Sequence, residues 1–383
     1  MIAPRARTPV GLCIVLAAFG CTLDMSQKHD CRTNADCVGG RICVVGTCRA
    51  PDGSGGAGDL PNYAFVTSAP VSIRLQSLDA ADEICASLAA AVPLSGQFRA
   101  WLSTSMTDAR DRLENARGWI RPDGSPFADT LDDLTQGRIF NTLSLDEHGL
   151  PVSGVVVTGT DRDGHADASN DCDDWSATAT TSATVGTTAG TTNVWTQIDE
   201  VACDQEARLY CFGVDRSAPV APLAPRGKLA FLSEAPFAVG GGLAAADALC
   251  QGEADAAHLA GAFRALLASD GASASSRVQA NVGAVWWRVD GVALNREGSG
   301  IFPDVGTLLA PLNVTSQKRY MDTSVFTGAT GPNVAGVDAD TCGGWVAGSG
   351  ATAGRVNYLP SWFADGSRAP CETRMDIYCF QSD

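Results

Sequence analysis

Strand-like and helix-like segments follow one another along this chain in a fixed order. The segment "AFVTS" at 64–68 has the apolar and β-branched residues typical of a strand. The next segment has a helical period, in which Leu78, Ala81 and Cys85 share one face. A long irregular region then leads to the strand-like "RLYCF" at 208–212. This order predicts a module that mixes helix and strand, and therefore an α+β fold class.

The same order of segments occurs a second time in the chain. Cys85 matches Cys250 and Cys172 matches Cys342, so the offset between the copies stays between 165 and 170 residues. A repeat of this length predicts two modules with one shared fold. The matching segments are "FVTSAP" and "FLSEAP", "LDAADEIC" and "LAAADALC", "FRAWLSTS" and "FRALLASD", "WIRPDG" and "WWRVDG", "VVVTGTDRDG" and "SVFTGATGPN", "CDDW" and "CGGW", and "LYCF" and "IYCF".

Two linkers and a cysteine-rich segment complete the predicted organisation. The stretch at 51–61 is rich in glycine and predicts a flexible linker, whereas prolines at intervals of three in 214–227 predict a stiff polyproline II spacer. The predicted division is a signal peptide at 1–20, a lipidated N-terminus with a four-cysteine knot at 21–50, the first linker at 51–61, repeat one at 62–213, the second linker at 214–227 and repeat two at 228–383.

The N-terminal segment predicts export. Arg5 and Arg7 precede an apolar run that is too short to span a membrane and fits a signal peptide. The run ends in "LAAFGC", which resembles a bacterial lipobox with Cys21 as the lipidated residue. The alternative is ordinary cleavage that leaves Cys21 as a plain thiol. Lipidation is favoured, because it leaves twelve cysteines, an even number, for disulfides.

The remaining cysteines fall into three groups of four. One group, in a stretch shorter than twenty residues, predicts a small knot with two bridges and three possible connectivities; zinc is the alternative. In each repeat, a bridge from the first helix to the last strand would join the two ends, and a second bridge would fix the long loop. The predicted bonds are Cys85–Cys211, Cys172–Cys203, Cys250–Cys379 and Cys342–Cys371, with Cys31, Cys37, Cys43 and Cys48 paired among themselves.

Composition narrows the possible partners and the compartment. The 43 acidic and 27 basic residues give a net charge of −16, which repels phosphate backbones and excludes nucleic acid as an expected partner. Fourteen cysteines indicate an oxidising compartment. We therefore expect an outer-membrane or cell-surface location, with the membrane contacted through the lipid anchor.

The order of motifs resembles a known family. "FVTS", "LDAADEIC", "FRAWLSTS", "WIRPDG", "GRIFN", "LDEHG", "VVTGTDRDG", "CDDW" and "RLYCFG" look like the bacterial endostatin-like domain. That domain is a variant of the C-type-lectin-like fold, related to the C-terminal part of collagens XV and XVIII, and it occurs in surface lipoproteins such as leptospiral endostatin-like adhesins. The resemblance covers 63–213 strongly and 229–380 more loosely. It implies two tandem C-type-lectin-like domains, and it implies function only weakly.

Signatures of catalysis are poor in this sequence. The four histidines lie far apart, no GxSxG or HExxH motif occurs, and every cysteine in the mature chain has an expected structural partner or a lipid. We therefore expect no enzymatic activity and no cofactor. The expected function is binding of an extracellular protein or glycan. The alternative is a structural envelope component that binds the producer's own surface proteins, and an enzyme on this fold ranks third.

Two candidate ligand sites fall in the long loop of repeat one. Asp161, Asp163 and Asp167 are candidate calcium ligands, because hard cations prefer clustered carboxylates. The alternative is a solvated acidic loop, which is favoured because repeat two lacks most of these acids. Trp175 and Trp195 are candidate ligand contacts, with burial in the core as the favoured alternative. The threonine-rich stretch between them predicts a flexible exposed loop.

Overall fold

The computed structural model describes residues 31, 34–37, 41–44, 47–49, 60–167, 169–176, 180–278, 284–302 and 308–382. The predicted signal peptide, Cys21 and nearly all of the glycine-rich linker lie outside the described residues. The described N-terminal part contains a 3-10 turn at Asn34–Asp36 and an antiparallel pair of strands, β1 at Ile42–Val44 and β2 at Thr47–Arg49.

Repeat one is an α+β unit with three sheets. Its helices are α1 at Leu78–Ala91 and α2 at Leu131–Thr135, with a 3-10 turn at Asp111–Leu113. Its strands are β3 at Asn62–Val66, β4 at Val71–Ser72, β5 at Phe98–Ala100, β6 at Trp119–Ile120, β7 at Pro126–Ala128, β8 at Val155–Val157, β9 at Ser182–Thr187, β10 at Asp199–Ala202, β11 at Glu206–Ala207 and β12 at Tyr210–Gly213.

Repeat two has fewer elements among its described residues, and those that it shares with repeat one follow the same order. Its helices are α3 at Gly242–Ala256 and α4 at Ala274–Arg277, with 3-10 turns at Asp338–Asp340 and Leu359–Ser361. Its strands are β13 at Lys228–Leu232, β14 at Ala262–Ala265, β15 at Trp286–Arg288, β16 at Ser324–Phe326, β17 at Ala351–Arg355, β18 at Arg368–Ala369 and β19 at Tyr378–Ser382.

The two repeats share their sheet topology. The main sheet has the order β5-β12-β3-β6-β7 in repeat one and β14-β19-β13-β15 in repeat two. In both, the opening strand lies between the closing strand, which is antiparallel to it, and a parallel neighbour. A second sheet, β10-β9-β8 or β16-β17-β18, carries the long loop. The first and last strands of each repeat are therefore direct neighbours.

The first helix of each repeat packs through a stripe of small side chains. The Ser77 hydroxyl caps the N-terminus of α1 by accepting a hydrogen bond from the Ala80 N–H. Ala81, Cys85 and Ala89 are buried at intervals of four, and three matching residues are buried in α3. Small residues allow each helix to lie close to its sheet, where the central cysteine bonds to the closing strand.

Six disulfide bonds join the described cysteines. The bonds within the repeats are Cys85–Cys211, Cys172–Cys203, Cys250–Cys379 and Cys342–Cys371, which are the pairs that the sequence predicts. The knot has the connectivity Cys31–Cys43 and Cys37–Cys48, one of the three that its spacing allows. Separate apolar cores fill the two repeats, with their members drawn from 63–220 and from 230–380.

The knot and the proline-rich linker both lie against the repeats. The Asn34 backbone N–H donates to the Asp123 carbonyl at 2.8 Å, in the "RPDG" turn of repeat one. The buried Val220 of the linker donates its N–H to the Asp129 carboxylate at 2.8 Å, and the linker carbonyl of Leu223 covers Gly291 in the matching turn of repeat two. The linker predicted as a stiff spacer is thus in contact with both repeats.

Candidate functional site

The "CDDW" and "CGGW" motifs form the same unusual turn, which we name the CxxW turn. All four residues of Cys172–Trp175 have positive φ angles between 53° and 66°. The four residues of Cys342–Trp345 do the same, with φ between 50° and 69°. Each turn is therefore a single turn of left-handed helix, a conformation that costs L-residues roughly 1–2 kcal/mol each. The two glycines of repeat two adopt it without this cost.

The CxxW turns are held in place by the residues around them. Asp171 and Thr341 cap the two turns, each accepting a backbone N–H three residues ahead. The Trp175 indole N–H donates to the Ser103 carbonyl at 2.8 Å, and the Trp345 indole does the same to Ala268. A disulfide at the first residue of each turn completes the support. Three interactions therefore hold the strained backbone of each turn: the cap, the indole hydrogen bond and the disulfide.

The glycine of the "TG" dipeptide that both repeats share lies directly against the tryptophan of the CxxW turn. Gly159 has a φ of +55°, and a Cβ there would lie 2.7 Å from Trp175 Cζ2. Gly328 has a φ of +85°, and its Cβ would lie 2.7 Å from Trp345 Cζ2. Both the backbone angle and the close indole therefore require glycine at this position.

The candidate ligand tryptophans are core residues. Trp175 and Trp195 are both 0% exposed. Trp195 packs against Trp101, with ring centroids 5.0 Å apart, and contacts three further aromatic rings. The prediction that they contact a ligand is wrong for this structure, because neither indole reaches the surface.

The threonine-rich stretch beside them is also largely buried. Residues Ser182–Thr187 form β9, the central strand of the second sheet, and five of its six residues are buried. The prediction of a flexible exposed loop is wrong for this part, whereas 177–179 lie outside the described residues.

The three candidate calcium ligands do not converge. Asp161 accepts the backbone N–H groups of Asp163 and His165, both at 2.9 Å, so it closes its own turn. Asp167 accepts the Thr184 hydroxyl at 2.7 Å. Among the described residues, the one group of three candidate metal ligands whose ligand atoms lie close together is Cys31, Cys37 and Cys43, and these cysteines are in disulfides. The structure therefore does not assemble the predicted calcium site, and it gives no open thiolate set for zinc.

The acidic loop of repeat one instead contains a polar pair. His165 Nδ1 lies 2.6 Å from the Asp108 carboxylate, which also accepts the Ala166 N–H. The hydrogen bond to Asp108 raises the pKa of His165. Burial is the largest single effect on Asp108 and would raise its pKa, but the hydrogen bonds from His165 and Ala166 and the charges of His165 and Arg110 together outweigh it, so that pKa is lowered. A half-exposed ion pair of this kind stabilises the loop only modestly.

A second pair of carboxyls lies at the CxxW turn of repeat one. Asp174 accepts the backbone N–H and the hydroxyl of Ser105, and the backbone bond is the main reason that its pKa is lowered. Burial raises the pKa of the neighbouring Asp171. The exposed rim of this turn is therefore anionic, with Asp173 and Asp174 both exposed. We name the surface around Asp163, His165, Asp173 and Asp174 the loop face of repeat one.

The corresponding loop face of repeat two has a different character. Gly343 and Gly344 replace the two aspartates of the turn. Val334, Val337 and Val346, on either side of Cys342, are exposed by 47%, 51% and 57%. The two loop faces therefore differ in composition: repeat one exposes two aspartates at its CxxW turn, whereas repeat two has glycines there and exposes three valines together with Asp338.

Exchanging the turn residues tests the left-handed strain. We expect Asp173→Gly to raise the free energy of unfolding by about 1 kcal/mol, because glycine adopts this conformation without a Cβ penalty. The matched change Gly343→Asp, at a site with open space around its Cβ, should lower it by a similar amount. Urea unfolding followed by tryptophan fluorescence measures both. A loss of stability in Asp173→Gly would contradict the strain.

Repeat two also carries an acidic cluster that repeat one lacks. Glu253 accepts the backbone N–H groups of Glu234 and Ala235, and Glu234 is paired with Arg319. Burial, followed by the charge of Glu253, raises the pKa of Asp376 to about 6. The matching positions in repeat one hold Ser68, Leu88 and Arg208. The cluster is therefore specific to the second repeat.

Asp376 gives a pH dependence with a defined sign. Its pKa in the folded chain lies above the unfolded value, so the folded state holds the extra proton and loses stability as pH rises from about 4 to about 6. We expect Asp376→Asn to stabilise the chain at pH 7.5 by about 1–2 kcal/mol after screening, and to have little effect at pH 4. Thermal unfolding across this range measures it, with exposed Asp338→Asn as the control. Equal effects at both pH values would contradict the assignment.

Comparisons with known proteins gave no match from which a function could be inferred. No protein-family model matches this chain, and no curated protein matches it either. In the described part of the chain, no helix is both long enough and apolar enough to cross a bilayer.

Proposed function

We propose that this chain is a lipid-anchored envelope protein that binds an extracellular protein or glycan through two tandem C-type-lectin-like repeats, without catalysis. The observation that carries the proposal is the contrast between the frame that both repeats share and the loop faces in which they differ. Both repeats keep their two disulfides, their buried tryptophans and the CxxW turn. Their loop faces differ in charge and polarity. Binding modules of this kind vary their loops on a rigid frame.

Several features support the C-type-lectin-like assignment. The opening strand of each repeat pairs with the closing strand, and a disulfide joins the first helix to that closing strand. A long loop with its own small sheet is inserted between them and is held by the second disulfide. These features agree with the family that the motifs resemble.

The location follows from the N-terminal sequence. Cys21 follows a short apolar run that fits a lipoprotein signal, and oxidised cysteines suit an exported protein. Mass spectrometry of the mature N-terminus tests the anchor. A diacylated Cys21 is expected, and a free, unmodified Cys21 thiol would refute lipidation.

Arrays of glycans and matrix proteins test the binding proposal. The purified chain should bind a defined subset of spots, and it should bind them equally with and without chelator, because the candidate calcium ligands do not converge and Asp161 bonds to the backbone of its own turn. Absence of binding to any spot, together with copurification of the producer's envelope proteins, would favour a structural envelope component instead. Binding that disappears with chelator would restore a role for calcium.

A further inference from the structure

One turn from each repeat contacts the other repeat. In both repeats it is the turn that follows the central strand of the second sheet. We name these the pairing turns, 188–193 in repeat one and 356–361 in repeat two. Their equivalence is set by strand register: Val157 lies opposite Val185 in repeat one, and the matching Phe326 lies opposite Ala353 in repeat two. Counted from these positions, Gly190 and Tyr358 are equivalent residues.

A close backbone approach confirms this equivalence. One residue after each paired position is a glycine, Gly186 or Gly354. A Cβ on Gly186 would lie 1.8 Å from the Trp195 carbonyl oxygen, and a Cβ on Gly354 would lie 2.4 Å from the Trp362 carbonyl oxygen. Both repeats therefore fold the chain back in the same way behind the pairing turn.

The pairing turns exchange reciprocal backbone hydrogen bonds. Gly190 lies opposite Tyr358 in an antiparallel bridge. The Thr191 N–H donates to the Asn357 carbonyl at 2.9 Å, and the Leu359 N–H donates to the Ala189 carbonyl at 3.1 Å. Thr191 is equivalent to Leu359, and Ala189 to Asn357. Each repeat thus gives its partner the same bond that it receives, which is the pattern of a two-fold interface.

Side chains from both repeats enclose this bridge. Asn357 is 0% exposed, and its amide nitrogen donates to the Thr192 hydroxyl at 2.8 Å and to the Asn193 side chain at 3.2 Å. Nearby, the rings of Phe140 and Tyr320 meet edge to face, with centroids 6.4 Å apart. The Asn357 amide also donates to the Asp322 carboxylate at 2.6 Å within repeat two, so the bonds to Thr192 and Asn193 add to its pairing. Separation of the repeats would remove these two bonds, which favours the docked arrangement.

We infer that the tandem is a covalently fused two-fold pair, in which the pairing turns are a self-complementary docking surface that holds the repeats in one fixed orientation. This extends the proposed function and rests on it in one respect: the two different loop faces would then be offered at a fixed separation. The partner that fits is a single ordered surface with two different patches, one of them cationic to match Asp173 and Asp174, rather than a flexible polymer with one repeated epitope.

Hydrogen exchange on the full chain, without any ligand, tests the docking. In the wild type, the amides of Thr191 and Leu359 should be protected to an extent comparable with the strands that flank them. Asn357→Ala should accelerate exchange at both amides by about tenfold or more, and small-angle scattering should show a larger radius of gyration. The matched control is Asn141→Ala, which removes a buried amide bond to Pro126 within repeat one alone. It should leave both amides and the radius of gyration unchanged.

Two results would overturn the inference. One is exchange of the Thr191 and Leu359 amides at free-loop rates in the wild type, while β9 and β17 stay protected. The other is an Asn357→Ala chain that folds with both amides still protected. Because no ligand is present in these experiments, their outcome is independent of array binding, so failure of the docking and failure of the binding proposal are distinguished.

Discussion

Gly328→Ala should lower the free energy of unfolding by about 3 kcal/mol, whereas Gly366→Ala should lower it by only about 1 kcal/mol. Both glycines lie in repeat two and have nearly the same φ, +85° and +83°. At Gly366 nothing lies within 4 Å of an added Cβ, so only the backbone penalty applies. At Gly328 the methyl group would also meet the buried Trp345 indole, and a packed core does not yield easily to added atoms.

Calorimetric or urea unfolding of the two variants measures this difference directly. Gly159→Ala provides an independent repetition in repeat one, where the added Cβ would meet Trp175 at the same distance of 2.7 Å. Equal losses in the free energy of unfolding for Gly328→Ala and Gly366→Ala would contradict the claim that the Trp345 indole requires glycine at position 328.

Removal of the bond between the first helix and the closing strand should have the largest effect. Cys85→Ala/Cys211→Ala should lower the free energy of unfolding by about 5 kcal/mol, because the bond closes a loop between residues 126 positions apart. Cys172→Ala/Cys203→Ala opens a much shorter loop, of 31 positions, and should cost about 1 kcal/mol less. Both estimates follow from the entropy of the unfolded chain.

The order of the two losses is the informative result. Thermal unfolding of both double variants, each checked for intact remaining disulfides by mass spectrometry, gives that order. A larger loss from the Cys172–Cys203 pair would mean that this bond acts mainly on the folded state, by holding the strained CxxW turn, rather than through the unfolded chain. The Cys342–Cys371 pair, which supports a turn with two glycines, then serves as a comparison with less strain.

Much of the frame could be predicted from the sequence, because it depends on patterns with strong physical signals. The helical period around Ala81 and Cys85 predicts α1, and the closing "YCF" segments predict β12 and β19. The cysteines occupy equivalent positions in the two repeats, which predicts equivalent disulfide bonds, and the structure contains those bonds. Each of these signals is local or is duplicated in the second copy.

The burial of β9 could not be predicted from composition. Threonine, alanine and glycine suggest an exposed loop, yet Gly186 is needed because the Trp195 carbonyl lies against it, and Thr184 bonds to Asp167. The usable signal was in the alignment of the repeats, since "ATVG" at 183–186 matches "ATAG" at 351–354. A strand buried by small residues has no hydrophobic period to reveal it.

The prediction of calcium ligands in the loop of repeat one also failed because the sequence pattern was ambiguous. Spacing alone does not distinguish an acid that binds a cation from one that caps a turn, and Asp161 does the latter. The pair formed by Asp108 and His165 joins residues 57 positions apart, so no local motif marks it. The reciprocal contact between the pairing turns also depends on residues far apart in sequence.

The central claim is that the loop faces bind an extracellular ligand on a shared frame, and array binding by matched loop variants tests it most directly. Asp163→Ser/Asp173→Ser removes two exposed charges from the loop face of repeat one, and Asp79→Ser/Glu83→Ser removes two exposed charges from α1. We predict that the loop variant loses most of the wild-type binding to the array spots, whereas the helix variant keeps it. Equal binding by both variants and the wild type, or no binding by any of them, would contradict the claim.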